Sequence, residues 1–276
     1  MAKGSFEAYR KALSDVYRGW WLAWPLTERV EVGEVRKVHR GGSITAGSLT
    51  DRDIEAKPAP AGAPGDITYD AGGTVAVRFK AAGVAAQGFS SVAAAEAGAL
   101  VEFRDEHSAL IVYTGLDQSG LENLAELADA LVRRLWRGDW DPDLLVVTDV
   151  IAARAGTVLI ADQAGASAEL RLEGAVGPGP SQLVDLAGRA AFSASSRLGL
   201  TWTGTDLTPC YRVVRVRRTW LKRVREEYGT PQPGRGLAAG PVPPILLDEA
   251  RDEAEAVVEH VEQAGDLEPV EPGERS

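Results

Sequence analysis

Few side chains in this sequence have the types and spacings that perform chemistry. His39, His107 and His260 stand far apart, and none lies in a metal-ligand spacing such as H-E-x-x-H. Cys210 is the only cysteine, which excludes an intrachain disulfide or a cysteine-based zinc site; no base near it in sequence marks it as a nucleophile. No G-x-S-x-G, phosphate-binding loop or G-x-G-x-x-G occurs, and GAVGPGP at 174–180 reads as a turn. Asp141 and Asp143, on either side of Pro142, read as the end of a helix and the start of a strand rather than as a catalytic pair. Ser195 and Ser196 read as the polar face of a strand. The expectation is a protein that is not an enzyme, with no cofactor and no metal ion.

Charge is distributed in a way that residue-level chemistry is not. The net charge is −10, and residues 245–276 hold eleven acids against Arg251 and Arg275, so that segment carries −9 and the rest is nearly neutral. Just before it, Arg212, Arg215, Arg217, Arg218, Lys222, Arg223 and Arg225 put seven basic residues into fourteen positions. Aromatic residues are too sparse there, and the tail too acidic, for a nucleic-acid partner. An acidic amphipathic helix tethered beside a basic face should instead dock on it by Coulomb attraction and by its apolar stripe.

The elements that must position these groups follow from periodicity. Residues 5–17 read as a helix, and residues 119–136 read as another, with Ser119 and Glu122 spaced as in a capping box. Residues 100–103 and 109–114 read as a hairpin, 144–152 and 157–161 as two strands, and 189–203 as one unusually long amphipathic strand. Its even face carries Phe192, Ala194, Leu198, Leu200 and Trp202, and a bilayer-crossing strand needs only about 9–11 such alternating residues. Residues 81–95 hold no charged side chain and are small throughout, which suits a loop or a segment that refolds later. Residues 229–244 are a Gly/Pro linker, and 245–264 read as a helix with Leu246, Ala250, Ala254, Val257 and Val261 on one side. No stretch has the layout of a signal peptide or a spanning helix, so the resting protein is expected in the cytoplasm.

Several segments resemble the gasdermin family, particularly its short bacterial members. They are DLLVVTDV at 143–150, GTVLIA at 156–161, AELRL at 168–172, LGLTWTG at 198–204 and residues 209–216, about half of the chain at the level of pattern. The resemblance implies an α+β fold: a twisted, largely antiparallel central sheet with peripheral helices and a C-terminal helix docked as a cover. It also implies an autoinhibited monomer that a protease activates, which then binds anionic lipids of the inner membrane, extends two hairpins and self-oligomerises into a β-barrel pore for antiphage defence. On this sequence the pore-forming domain would be 1–228, the cleavable linker 229–244 with Arg235 as a trypsin-type site, the inhibitory helix 245–264 and a disordered tail 265–276. The hairpins would lie around 75–103 and 157–203, and the seven basic residues would meet the lipid head groups. Bacterial members typically carry a lipidated cysteine near the N-terminus, a place where this sequence has none. Two other readings stay open: a non-enzymatic module that holds a partner protein through its acidic helix, and an enzyme of unrecognised chemistry.

Overall fold

The computed structural model describes residues 3–14, 16–39, 42–70, 73–172, 183–187, 190–229 and 240–263. In chain order the elements are α1 (Lys3–Ser14), β1 (Trp21–Leu22), β2 (Glu34–His39), β3 (Gly42–Ser48), β4 (Pro58–Gly62), β5 (Ile67–Asp70), β6 (Val75–Lys80), β7 (Ala97–Phe103), β8 (Ala109–Leu121) and α2 (Leu124–Arg137). There follow β9 (Leu144–Ala161), β10 (Ser167–Leu172), β11 (Ala190–Ser196), β12 (Leu198–Val216), α3 (Arg218–Tyr228), α4 (Pro244–Asp252), α5 (Ala254–Val257) and β13 (Val258–His260). The fold is α+β, and every strand pairing is antiparallel.

A nine-stranded open sheet is organised around β9. That strand pairs with β12 along its length, and on its other side with β2 and then β8. Leu144–Val147 is buried on both faces because two cores enclose it. On one face α2, α3 and α4 bring Leu131, Leu135, Trp220 and Leu246 against Val146, Val214 and Val216. On the other, Trp21 and Val30 cover Leu145, Val147 and Val213. Further along, α1 packs Tyr9 and Leu13 on Ile111, Tyr113, Val158 and Ile160, and the Tyr9 and Tyr113 hydroxyls are hydrogen-bonded at 2.8 Å. Gly156 is required there, since a Cβ would lie 2.5 Å from the Tyr113 ring.

The second sheet has four strands in the order β11-β10-β7-β6. Its inner face, with Ala99, Val101, Phe103 and Leu170, packs on Leu110, Val112 and Leu159 of the large sheet. Both of its outer strands, β6 and β11, are sheet edges.

Several sequence expectations differ from this arrangement. Ser119 lies in β8, and the cap of α2 is Asn123, whose side chain accepts from the Ala125 and Glu126 amides at 3.0 and 3.3 Å. An Asn cap satisfies the same orphan amides that a Ser would. Residues 100–103 and 109–114 are not a hairpin: β7 pairs with β6 and β10, whereas β8 pairs with β4, β5 and β9, so the turn between them passes from one sheet to the other. The two strands expected at 144–152 and 157–161 are one, because Ala153 and Ala155 continue the ladder with Leu207 and Thr205. The long strand expected at 189–203 is two, broken at Arg197, whose φ of 58° turns the chain out of the small sheet and into the large one. The helix expected at 245–264 is interrupted at Glu253 (φ −135°, ψ 60°), and Val257 passes into β13. A β-branched Val-Val pair beside an open strand edge gains a ladder that a helix would forgo.

Candidate functional site

The residues singled out for function fall into two regions, the seam under the C-terminal segment and the small sheet with its connecting loop. At the seam, α4 lays Leu246 and Ala250 on the core beside α2, with Ala254 half-buried against the same core and Val257 fully buried. Then β13 adds itself to the edge of β12, pairing Val258, Glu259 and His260 with Val216, Arg215 and Val214. Flanking amides extend the ladder, Arg217 N–H to the Val257 carbonyl at 2.8 Å and Val261 N–H to the Val213 carbonyl at 3.1 Å. Val261 itself packs half-buried beside Trp21 and Val213.

Three indoles donate into this segment. Trp136 Nε1 reaches the Gly240 carbonyl at 3.0 Å, Trp220 Nε1 the Glu249 carboxylate at 2.9 Å, and Trp21 Nε1 the Val261 carbonyl at 2.6 Å. The Leu22 amide also donates to Gln263 Oε1 at 3.0 Å. Sequence periodicity could not single out these tryptophans, because each also serves a core. Behind Trp21 stands Tyr211, whose ring faces the Arg36 guanidinium at 5.2 Å; Arg36 is fully buried and bonds Glu28 at 2.5 Å and Glu34 at 2.8 Å.

The seven basic residues do not share one face. Arg215 bonds Glu259 at 2.8 Å and Arg223 bonds Glu249, so two of them hold the acidic segment. Arg212 lies over the Trp20 ring at 4.5 Å, and the Arg217 amide joins the seam. Arg218, Lys222 and Arg225 line a groove of about 430 Å³ with Asp143 and Glu226. Arg235 lies outside the described residues, as do the rest of 230–239 and residues 264–276.

The expected membrane-strand residues are divided by the break at Arg197. Phe192 and Ala194 belong to β11 of the small sheet and are exposed, while Leu198, Leu200 and Trp202 belong to β12 of the large one. Leu200 is buried beneath α1, with Trp202 packed partly buried against the same core.

The uncharged stretch 81–95 is the connection from β6 to β7, and it lies across the outer face of the small sheet. The Glu169 carboxylate of β10 accepts four hydrogen bonds from it: Ser90 N–H (2.8 Å), Ser90 Oγ (2.6 Å), Ser91 N–H (2.7 Å) and Ser91 Oγ (2.6 Å). Burial works against the ionised carboxylate, but the serine bonds prevail and hold it at about 2. Its stabilising contribution is therefore complete above its ordinary value of 4.5 and lost as the pH falls toward 2. Amide exchange at residues 90–93 is expected to stay slow from pH 7 to 5 and to accelerate, after correction for intrinsic rates, toward pH 2. Nothing in the sequence of the loop, which has no ionisable residue, pointed to this contact.

Burial pushes the Cys210 thiol well above its usual range, against the pull of Arg212. Among the described residues, no three His, Cys, Asp or Glu side chains are grouped to hold a metal ion, and no helix is long and apolar enough to cross a membrane.

No protein-family model and no curated protein matches the chain. Among solved structures it is similar to a bacterial gasdermin from Bradyrhizobium tropiciagri, at 16% identity and a TM-score of 0.33, over 76% of this chain and 86% of that one. It is also similar to the Gasdermin A3 membrane pore, at 12% identity and a TM-score of 0.33, over 77% of this chain and 90% of that one.

Proposed function

We propose that this chain is a gasdermin-like pore-forming protein that its C-terminal segment holds closed. The observation that carries the reading is the register of β6 and β7. Their pairs run from Val75↔Phe103 to Lys80↔Gly98, and continuing that register brings 81–87 opposite 91–97, leaving residues 88–90 as the tip. Each strand then has thirteen residues, 75–87 and 91–103, more than the about 9–11 that cross a bilayer.

The faces of that longer hairpin are unequal. One carries Val75, Val77, Phe79, Ala81, Gly83 and Ala85 opposite Phe103, Val101, Ala99, Ala97, Ala95 and Ala93, and its one polar pair, Gln87 opposite Ser91, lies next to the tip. The other carries Arg78, Lys80, Glu96 and Glu102 among small and aliphatic residues. Apolar-out and polar-in alternation is what a membrane barrel requires. The outer strands of the small sheet supply the joins: β6 of one copy against β11 of the next would close a ring, and only a closed ring satisfies every backbone group in lipid. The second hairpin is β10 with β11, which keeps Phe192 and Ala194 in the membrane part and leaves Leu198, Leu200 and Trp202 in the large sheet.

Closure is the task of residues 240–263. Leaving would uncover the β12 edge, three indoles and the apolar floor beneath Leu246 and Val257. It would also release Arg215 and Arg223 to join Arg218, Lys222 and Arg225 at an anionic surface, each worth about 1 kcal/mol there. A host protease cutting in the linker, for which Arg235 suits a trypsin-like specificity, would provide the trigger, and cell death in defence against phage the purpose. The protein then moves from the cytoplasm to the inner membrane.

The test places a specific protease site within 230–239 and adds the cut and uncut protein to dye-loaded vesicles containing phosphatidylglycerol and cardiolipin. Dye release and ring-sized oligomers after cutting, with neither before, are the expected result. A fully cut, folded protein that releases no dye would overturn the reading.

A further inference from the structure

Residues 90–93 touch all four strands of the small sheet. Glu169 of β10 takes the four serine bonds described above. Lys80, the last residue of β6 and only 3% exposed, donates from Nζ to the Val92 carbonyl at 2.9 Å and the Ala93 carbonyl at 2.6 Å. Its ammonium also stands 5.6 Å from the centre of the Phe89 ring. Ser193 of β11 donates to the Ser91 carbonyl at 3.1 Å. The Val92 side chain fills the space over Gly98 of β7, where a Cβ would come within 2.9 Å of it.

Both charges are turned to loop backbone rather than to each other. The ammonium uses carbonyls as acceptors and the carboxylate uses amides and hydroxyls as donors, so each buried charge keeps its hydrogen bonds only while the loop is down. A segment mostly of Ala, Gly, Val and Ser has little apolar area and no charge of its own to fix it against water. The pins must come from the sheet. These are also the residues that must peel away before β6 and β7 can lengthen, since Val92 and Ala93 become strand residues opposite Ala86 and Ala85 in the continued register.

We propose that Lys80 and Glu169 form a two-charge clasp on residues 90–93 that sets how fast the β6–β7 hairpin extends, a second lock distinct from the C-terminal segment. The idea rests on the pore reading for its purpose, though not for the clasp. In the extended hairpin Lys80 falls on the polar face, so an ammonium that closes the resting state would line the pore in the open one.

The test uses the full chain carrying the protease site, as wild type, as Glu169→Gln, and as the Ser90→Ala/Ser91→Ala pair, which leaves every strand residue of the resting fold intact. Two quantities are read: hydrogen exchange of 82–96 in the uncut protein, and the half-time of dye release after cutting. Both variants are expected to exchange at least tenfold faster at residues 90–93 and to shorten the release half-time several-fold, with the final extent of release unchanged. Unchanged exchange in both variants would overturn the clasp while wild-type leakage left the pore reading standing. Faster exchange with an unaltered half-time would overturn its control of the rate. Faster exchange with no release from any cut protein would overturn the pore reading, and the proposed gating role with it.

Discussion

Lysine at position 95 is expected to abolish dye release from the cut protein, while lysine at position 94 leaves it within about twofold of wild type. Ala94 and Ala95 are neighbours in the same loop, both exposed in the resting fold, so neither change should disturb the folded protein measurably. They part only in the extended hairpin. There Ala95 stands opposite Gly83 on the apolar face, near the middle of the strand, and Ala94 stands opposite Val84 on the face of Arg78 and Lys80. A lysine facing lipid at mid-depth costs about 2–4 kcal/mol per strand, and a ring repeats that cost in every copy. Ala85→Lys should behave like position 95 and Ala82→Lys like position 94. Dye release under equal cutting, with vesicle flotation to confirm that binding survives, measures the contrast. Equal loss at both parities would refute the register, because a loop that merely lies on the surface has no alternation to obey.

The second large effect concerns the seam. Val257→Asp is expected to open the protein without any cut. Val257 is fully buried in the core shared by α2, α3 and α4, at the point where the helix hands over to β13. A carboxylate there enters a core of apolar side chains and costs several kcal/mol if it stays in place. The segment can avoid that cost by leaving, whereas a residue of the central sheet could avoid it only by global unfolding. Uncut Val257→Asp protein should therefore release dye, and a synthetic peptide of residues 240–263 with the natural sequence should suppress that release. A stable, silent variant would mean that these residues are not what holds the protein closed.

How much of this could be read from residues alone depended on the range of the forces involved. A helix within 119–136, a strand from 144 and the apolar side of the last segment were legible, because burial imprints itself on local sequence. The five apolar residues expected on that segment, Leu246, Ala250, Ala254, Val257 and Val261, all lie against core. Its backbone form was not legible: whether Val257 and Val258 end in a helix or a strand depends on an open edge some 40 residues earlier, at Val214 and Val216. The break at Arg197 was hidden for a related reason. Alternation on the two sides of it is continuous in sequence, yet the two halves answer to different sheets. The Glu169 contact left no local trace, since carboxylate and serines are brought together only when β10 takes its place between β7 and β11.

The way residues 240–263 are held has a consequence for timing. A hinge that is merely tethered falls open as soon as the tether is severed. This piece is instead seated by a backbone ladder, three indole bonds and three ion pairs, all of which survive a break in the linker. Cutting removes only the local excess, about millimolar, that a short covalent connection maintains. The nicked molecule thus becomes an ordinary two-component complex, whose lifetime is governed by dissociation and dilution. Proteolysis would arm it, and a crowded compartment would keep it armed until a membrane competes for the same surfaces.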